Sequence, residues 1–160
     1  MDLRNISMFC LILLGLLVPP FLMAQGLNPR ITGKQITIQQ KMNIGNALNK
    51  YDLFILKTNA DSIASLFTID GNLGNMAMGR DSIRKFLLKF KNVKVLSVHT
   101  NPSNLIKEGD LFHQTGNYMQ TAILPKGDTV QVSGKIDFWW IELTKGVFFI
   151  KKVTTIPDKF

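Results

Sequence analysis

The sequence predicts an α+β domain in which helices come first and an antiparallel sheet follows. Three observations predict it. Apolar residues recur at helical spacing up to about residue 90; from Val93 onward the period changes to two; and the alternating stretches are joined by short turn sequences. Helices followed by a run of hairpin-linked strands is the α+β order, whereas a parallel α/β sheet would interleave the two. With 160 residues and 46% hydrophobic composition, the chain suits one domain with a real core.

Residues 1–24 stand apart from that domain. Arg4 precedes a nearly continuous apolar run from Met8 to Val18, Pro19 and Pro20 break it, and Leu22-Met23-Ala24 leads to Gln25. This is the layout of a secretory signal, with the cut expected after Ala24. The run falls short of the roughly 20 residues that span a bilayer, so cleavage is favoured over anchoring. The chain is therefore expected in a secreted or periplasmic location, off the membrane once cleaved. Cys10, the only cysteine, lies inside the signal and leaves the mature chain without disulfides or thiolate chemistry. Residues 25–34 read as a linker, and 35–160 as the domain.

The helices come in order. Ile44, Leu48, Tyr51 and Ile55 form one stripe on a helix over about 35–57. Thr58-Asn59-Ala60-Asp61 breaks it, and Asn59 or Asp61 can cap a short second helix through Phe67. Residues 68–79 hold three glycines and read as an irregular strand or hairpin. A third helix over Arg80–Phe90 turns Ile83, Phe86, Leu87 and Phe90 to one face. Strands are expected at 93–100, 111–124, 129–143 and 147–156. The turn chemistry lies at Asn101-Pro102-Ser103, Glu108-Gly109-Asp110, Pro125–Asp128 and Thr144-Lys145-Gly146.

Several segments in this order carry a family likeness. They are Asn59-Ala60-Asp61, Leu66-Phe67-Thr68-Ile69-Asp70, Gly79-Arg80-Asp81-Ser82-Ile83, Thr115-Gly116-Asn117-Tyr118 and Gly134-Lys135-Ile136, with Trp140 following. Over about 36–157 the chain resembles the SnoaL-like branch of the nuclear-transport-factor-2-like superfamily. The resemblance implies three N-terminal helices packed in the concave face of a curved antiparallel sheet. It also implies a pocket at the open end of that cone and a dimer through the sheet.

Period two then sorts the strands. Val132, Gly134, Ile136, Phe138 and Trp140 share the face assigned inward, as do Phe112, Gly116 and Tyr118. With Tyr51 and Met76 or Met78 they make either a packed core or an apolar, aromatic pocket. The candidate pocket residues are Tyr51, Asp70, Met76, His99, Tyr118, Phe138 and Trp140. Trp139, Ile141 and Leu143 fall on the outer face, with Phe149 and Val153 beside them, as a candidate dimer face.

No catalytic residue is assigned. The steroid isomerases of the resembling superfamily use a carboxylate base, and the matching position falls near Asn75, whose amide cannot serve. Asp70 is expected to bond backbone amides at its strand start, and Asp137 to face outward beside Lys135. His99 and His113 lie on separate strands with no acid in phase, a poor metal set, and no cofactor is expected. The net charge of +8 is scattered. Its densest group, Arg84, Lys85, Lys89, Lys91 and Lys94, lacks the interleaved aromatics of a nucleic-acid platform. The leading expectation is an exported module holding a small apolar ligand. An isomerase, cyclase or hydratase comes second, and an assembly protein third.

Overall fold

The computed structural model describes residues 36–158, so the expected signal and linker lie outside the described residues. In chain order the elements are α1 (Ile38–Leu56), α2 (Ala60–Ser65), β1 (Phe67–Leu73), β2 (Ala77–Met78) and α3 (Arg80–Leu87). A 3-10 turn (Leu88–Phe90) extends α3, and β3 (Lys94–Glu108), β4 (Leu111–Ile123), β5 (Thr129–Thr144) and β6 (Val147–Pro157) complete the domain.

Local chemistry fixes the helix ends. Gln40 N donates to Thr37 Oγ1 at 3.1 Å while Thr37 N donates to Gln40 Oε1 at 3.2 Å, a reciprocal capping box that starts α1. Asn59 is the cap of α2, accepting from Ser62 N at 2.9 Å. The α1 stripe buries Ile44, Leu48 and Tyr51. Each such side chain taken from water is worth about 1.5–3 kcal/mol. The helix lies over β3, and α3 packs on α2 and β1.

The sheet runs β2-β1-β6-β5-β4-β3 and is curved. From β3 to β6 every pairing is antiparallel, as a meander requires. Two features of the expected architecture need correction. First, β1 pairs parallel with β6, so the sheet is mixed at that side. A parallel neighbour requires a long connection between the two strands, and everything from β2 to β5 supplies it. Ile150 N donates to Leu66 O and Gly74 N to Val153 O, each at 2.8 Å, tying the ends of β1 to β6. Second, the three helices are not one N-terminal block: α3 follows the short β1–β2 pair, in the order that the sequence itself predicts.

Two local expectations are also corrected. No turn interrupts the chain at Asn101-Pro102-Ser103: β3 runs straight through to Glu108, with a register shift between Pro102 and Asn104. Pro102 is tolerated because β3 is an edge strand. On β6, the register shifts between Trp139 and Trp140, opposite Lys152 and Ile150, and one residue is added. The bulge returns Val153 to the inner face, where it is buried, rather than to the outer face beside Phe149.

Two inward glycines let the strands close over the concave side. A Cβ on Gly116 would lie 2.5 Å from the Asn101 carbonyl oxygen, and one on Gly134 would collide with that of Ile156. Trp140, Phe67, Phe112, Phe138, Ile44, Ile83, Ile150 and Val153 are the largest fully buried side chains. Phe138 stacks on Trp140 with centroids 4.9 Å apart and meets Tyr51 edge-on at 5.1 Å. Trp140 Nε1 donates to the buried Gln114 Oε1 at 3.0 Å, so the indole is both packed and satisfied.

Candidate functional site

Between the helices and the concave face lies a cavity of about 70 Å³. Its apolar wall is made by side chains such as Ile55, Ile63, Leu73, Phe90, Val98 and Val153. Tyr51, Thr58, Thr100, Tyr118, Gln120 and Thr155 supply the polar groups. Among the described residues, no carboxylate, imidazole, ammonium or guanidinium belongs to this lining.

Thr58 and Thr100 in the wall are held by the protein's own hydrogen bonds. Thr100 N and Thr100 Oγ1 donate to the two oxygens of Asp52 at 3.0 and 2.8 Å, which clamps α1 to β3 beside the cavity. Thr58 Oγ1 donates to Val93 O at 3.3 Å. Burial pushes the Tyr51 phenol well above its ordinary pKa, and the nearby Asp52 and Tyr118 add to the shift. The hydroxyl therefore stays protonated and can donate.

The candidate pocket residues separate into three groups. Tyr51, Met76 and Tyr118 line the cavity. Phe138 and Trp140 are buried in the aromatic core and do not line it. Asp70 and His99 are exposed and outside it. The expected backbone bond of Asp70 is a minor part of its surroundings, the amide involved being its own. Asp70 accepts from Thr68 Oγ1 at 2.9 Å and pairs with Lys151, and that pairing, followed by the Thr68 bond, lowers its pKa. The β1 strand departs from β6 between Phe67 and Asn72, which turns Ile69 and Asp70 to solvent.

Gln120 was not singled out by sequence reasoning, although the signal is there. Alternation from Phe112 through Gln114, Gly116 and Tyr118 puts Gln120 on the inner face. Glutamine on an inward strand position is a buried polar group and calls for a partner.

On the outer face, His113 and Trp139 stack at 4.1 Å with planes 3° apart, and His113 Nε2 lies 3.9 Å from Asp137 Oδ1. An acid is thus next to His113 after all, and Asp137 faces this histidine rather than pairing with Lys135. Trp139 and Ile141 are half-buried and Leu143 is exposed. Among the described residues, no group of three His, Cys, Asp or Glu side chains could hold a metal ion, and no helix is long and apolar enough to cross a membrane.

This arrangement, helices in the concavity of a bent sheet with a cavity between them, is the cone fold of the nuclear-transport-factor-2-like, SnoaL-like proteins. A ketosteroid isomerase-like protein from Erwinia carotovora superposes with a TM-score of 0.66 at 14% identity, over 78% of this chain and 100% of its own. A superfamily protein from Salmonella enterica serovar Typhimurium gives 0.62 at 17%, over 74% and 92%. A Catenulispora acidiphila protein solved in complex with S-DNPA gives 0.58 at 16%, over 74% and 92%. At these identities the likeness is one of fold. No family model and no curated protein matches the chain.

Proposed function

We propose that this protein is a binding module that takes a small, mostly apolar molecule into the cavity between α1, α2 and the sheet. The observation that carries this reading is the lining itself: a nearly continuous apolar wall with a few neutral hydrogen-bonding groups. A Catenulispora acidiphila protein of the same fold is solved with a bound molecule, which agrees with it. The volume of about 70 Å³ is far below the roughly 300–1,000 Å³ of drug-sized sites, which favours a compact ligand.

The test is a two-dimensional NMR titration with cyclopentane. Saturable shifts at Ile63, Leu73, Val98 and Val153 methyls are expected. Absence of any saturable shift, or shifts confined to the outer face around Trp139, would overturn the reading.

The alternative is an isomerase, cyclase or hydratase acting on a small lipophilic substrate. The Tyr51 hydroxyl and the ketosteroid isomerase-like neighbour favour it. The absence of a base from the lining favours binding instead, because proton abstraction needs a group within hydrogen-bond reach.

The same reading carries two further expectations. The sequence of residues 1–24 supports export, and the mature chain would then begin at Gln25. N-terminal sequencing of protein recovered outside the cytoplasm checks this, and an intact Met1 in that fraction would contradict it. The outer face of β5 and β6 supports self-association: Trp139, Ile141 and Phe149 are half-buried and Leu143 exposed on one side of the sheet.

A further inference from the structure

Gln120 is only 6% exposed and lines the cavity, yet among the described residues its carboxamide makes no side-chain hydrogen bond. Its neighbours across the sheet are Val98 on β3 and Val132 on β5, neither of which can offer a side-chain partner. Among the described residues the fully enclosed polar atom without a partner is Asn72 Oδ1, not an atom of Gln120, so the Gln120 amide opens onto the cavity, where an occupant can pair with it. Tyr51, 7% exposed, lines the same cavity, and its hydroxyl makes no side-chain hydrogen bond among the described residues. The other hydroxyls of the wall differ, since Thr58 and Thr100 are committed to protein acceptors. One cavity therefore holds two unspent polar groups, a phenol that donates and an amide that donates and accepts.

We propose that the cavity's ligand is an uncharged small molecule whose apolar body fills the aliphatic wall and whose single hydrogen-bond-accepting head, of the carbonyl type, is taken by the Gln120 carboxamide. The inference rests on the reading of the cavity as a ligand site and specifies its chemistry. An acceptor is selected because Tyr51 keeps its proton and Gln120 can also donate from Nε2. An anion is disfavoured because, among the described residues, no lysine, arginine or histidine lines the wall, so its charge would be buried unpaired. The carboxylate of Asp52, close enough to act on the Tyr51 phenol, adds repulsion. A pure hydrocarbon would fill the space but leave both polar groups unsatisfied.

The probes are cyclopentanone, its near-isostere methylenecyclopentane, and cyclobutanecarboxylate, each titrated by NMR into wild type and Gln120→Leu. Cyclopentanone is expected to shift the Gln120 side-chain amide resonances of the wild type, and methylenecyclopentane to leave them in place. The ratio of ketone to alkene affinity is expected to fall about three- to tenfold in Gln120→Leu, the size of one hydrogen bond. Alkene binding is retained in that variant, which also shows that it folds; Gln120→Met serves if the leucine variant does not. An unchanged ratio, unmoved Gln120 resonances, or carboxylate binding as tight as ketone binding would overturn the assignment of the ligand class while leaving the cavity as a site. Failure of both neutral probes to bind the wild type would overturn the cavity reading, and this inference with it.

Discussion

Glu142 shows how a single half-buried side chain can hold distant parts of the chain together. Its carboxylate accepts from Gly146 N at 2.6 Å and from Gln40 Nε2 at 3.1 Å, joining the β5–β6 turn to the first turn of α1. The Gly146 bond, then the Gln40 bond, lower its pKa below the ordinary glutamate value. A carboxyl whose folded pKa is depressed adds stability that is fully present above its unfolded pKa and is lost as pH falls through the folded one. Glu142→Gln is therefore expected to lower the melting temperature at neutral pH. The gap between variant and wild type should close as pH falls below the ordinary carboxylate range. Thermal melts at pH 7 and pH 3 check this, and a gap that widened in acid would contradict it. Gln120 belongs to the same scale. Its inward position could be read from the alternation of β4, but the absence of a side-chain partner among the described residues depends on valines contributed by two neighbouring strands, which no local pattern reveals.

At the scale of elements, the clearest sequence signals are those made by residues close together in the chain. Helical spacing located α1 and α3, and period two located β4 and β5, because each element's own burial imposes its pattern. The parallel β1–β6 pairing was not legible, since it joins residues about eighty positions apart and is broken by a register shift. Asn101-Pro102-Ser103 reads as a turn locally, yet an edge strand can carry a proline where its missing N–H is not needed. Edge strand β3 also carries two register shifts and the charged side chains of Lys94 and Lys107, features that blunt pairing with other chains. The outer face of the sheet, rather than its edge, is therefore the surface proposed for self-association. Trp139→Glu places a charge in the middle of that face and is expected to convert a dimer to a monomer in sedimentation velocity, while the cavity, on the opposite side of the sheet, still takes up cyclopentane. A wild type that sediments as a monomer at high concentration would contradict the proposed interface.

For the molecule as a whole, curvature makes the proposed function available. A flat sheet would let the helices pack down and close the interior; inward glycines at 116 and 134 and the bulges bring the strands around instead, and a cavity remains between α1 and the sheet. The sequence supported the cone through its ordered segments, and Tyr51, Met76 and Tyr118 do reach the cavity. Asp70 and His99 do not, because the departure of β1 from β6 turns Asp70 to solvent and His99 alternates with the cavity-lining Val98 and Thr100 on β3. The interior is thus apolar, neutral and small. The most direct check is a crystal structure determined under xenon pressure. Apolar space of this kind takes up xenon readily. Density is expected for xenon against Val98, Ile136 and Val153, inside the cone; a cavity that stayed without xenon while atoms bound elsewhere on the protein would contradict a ligand site there.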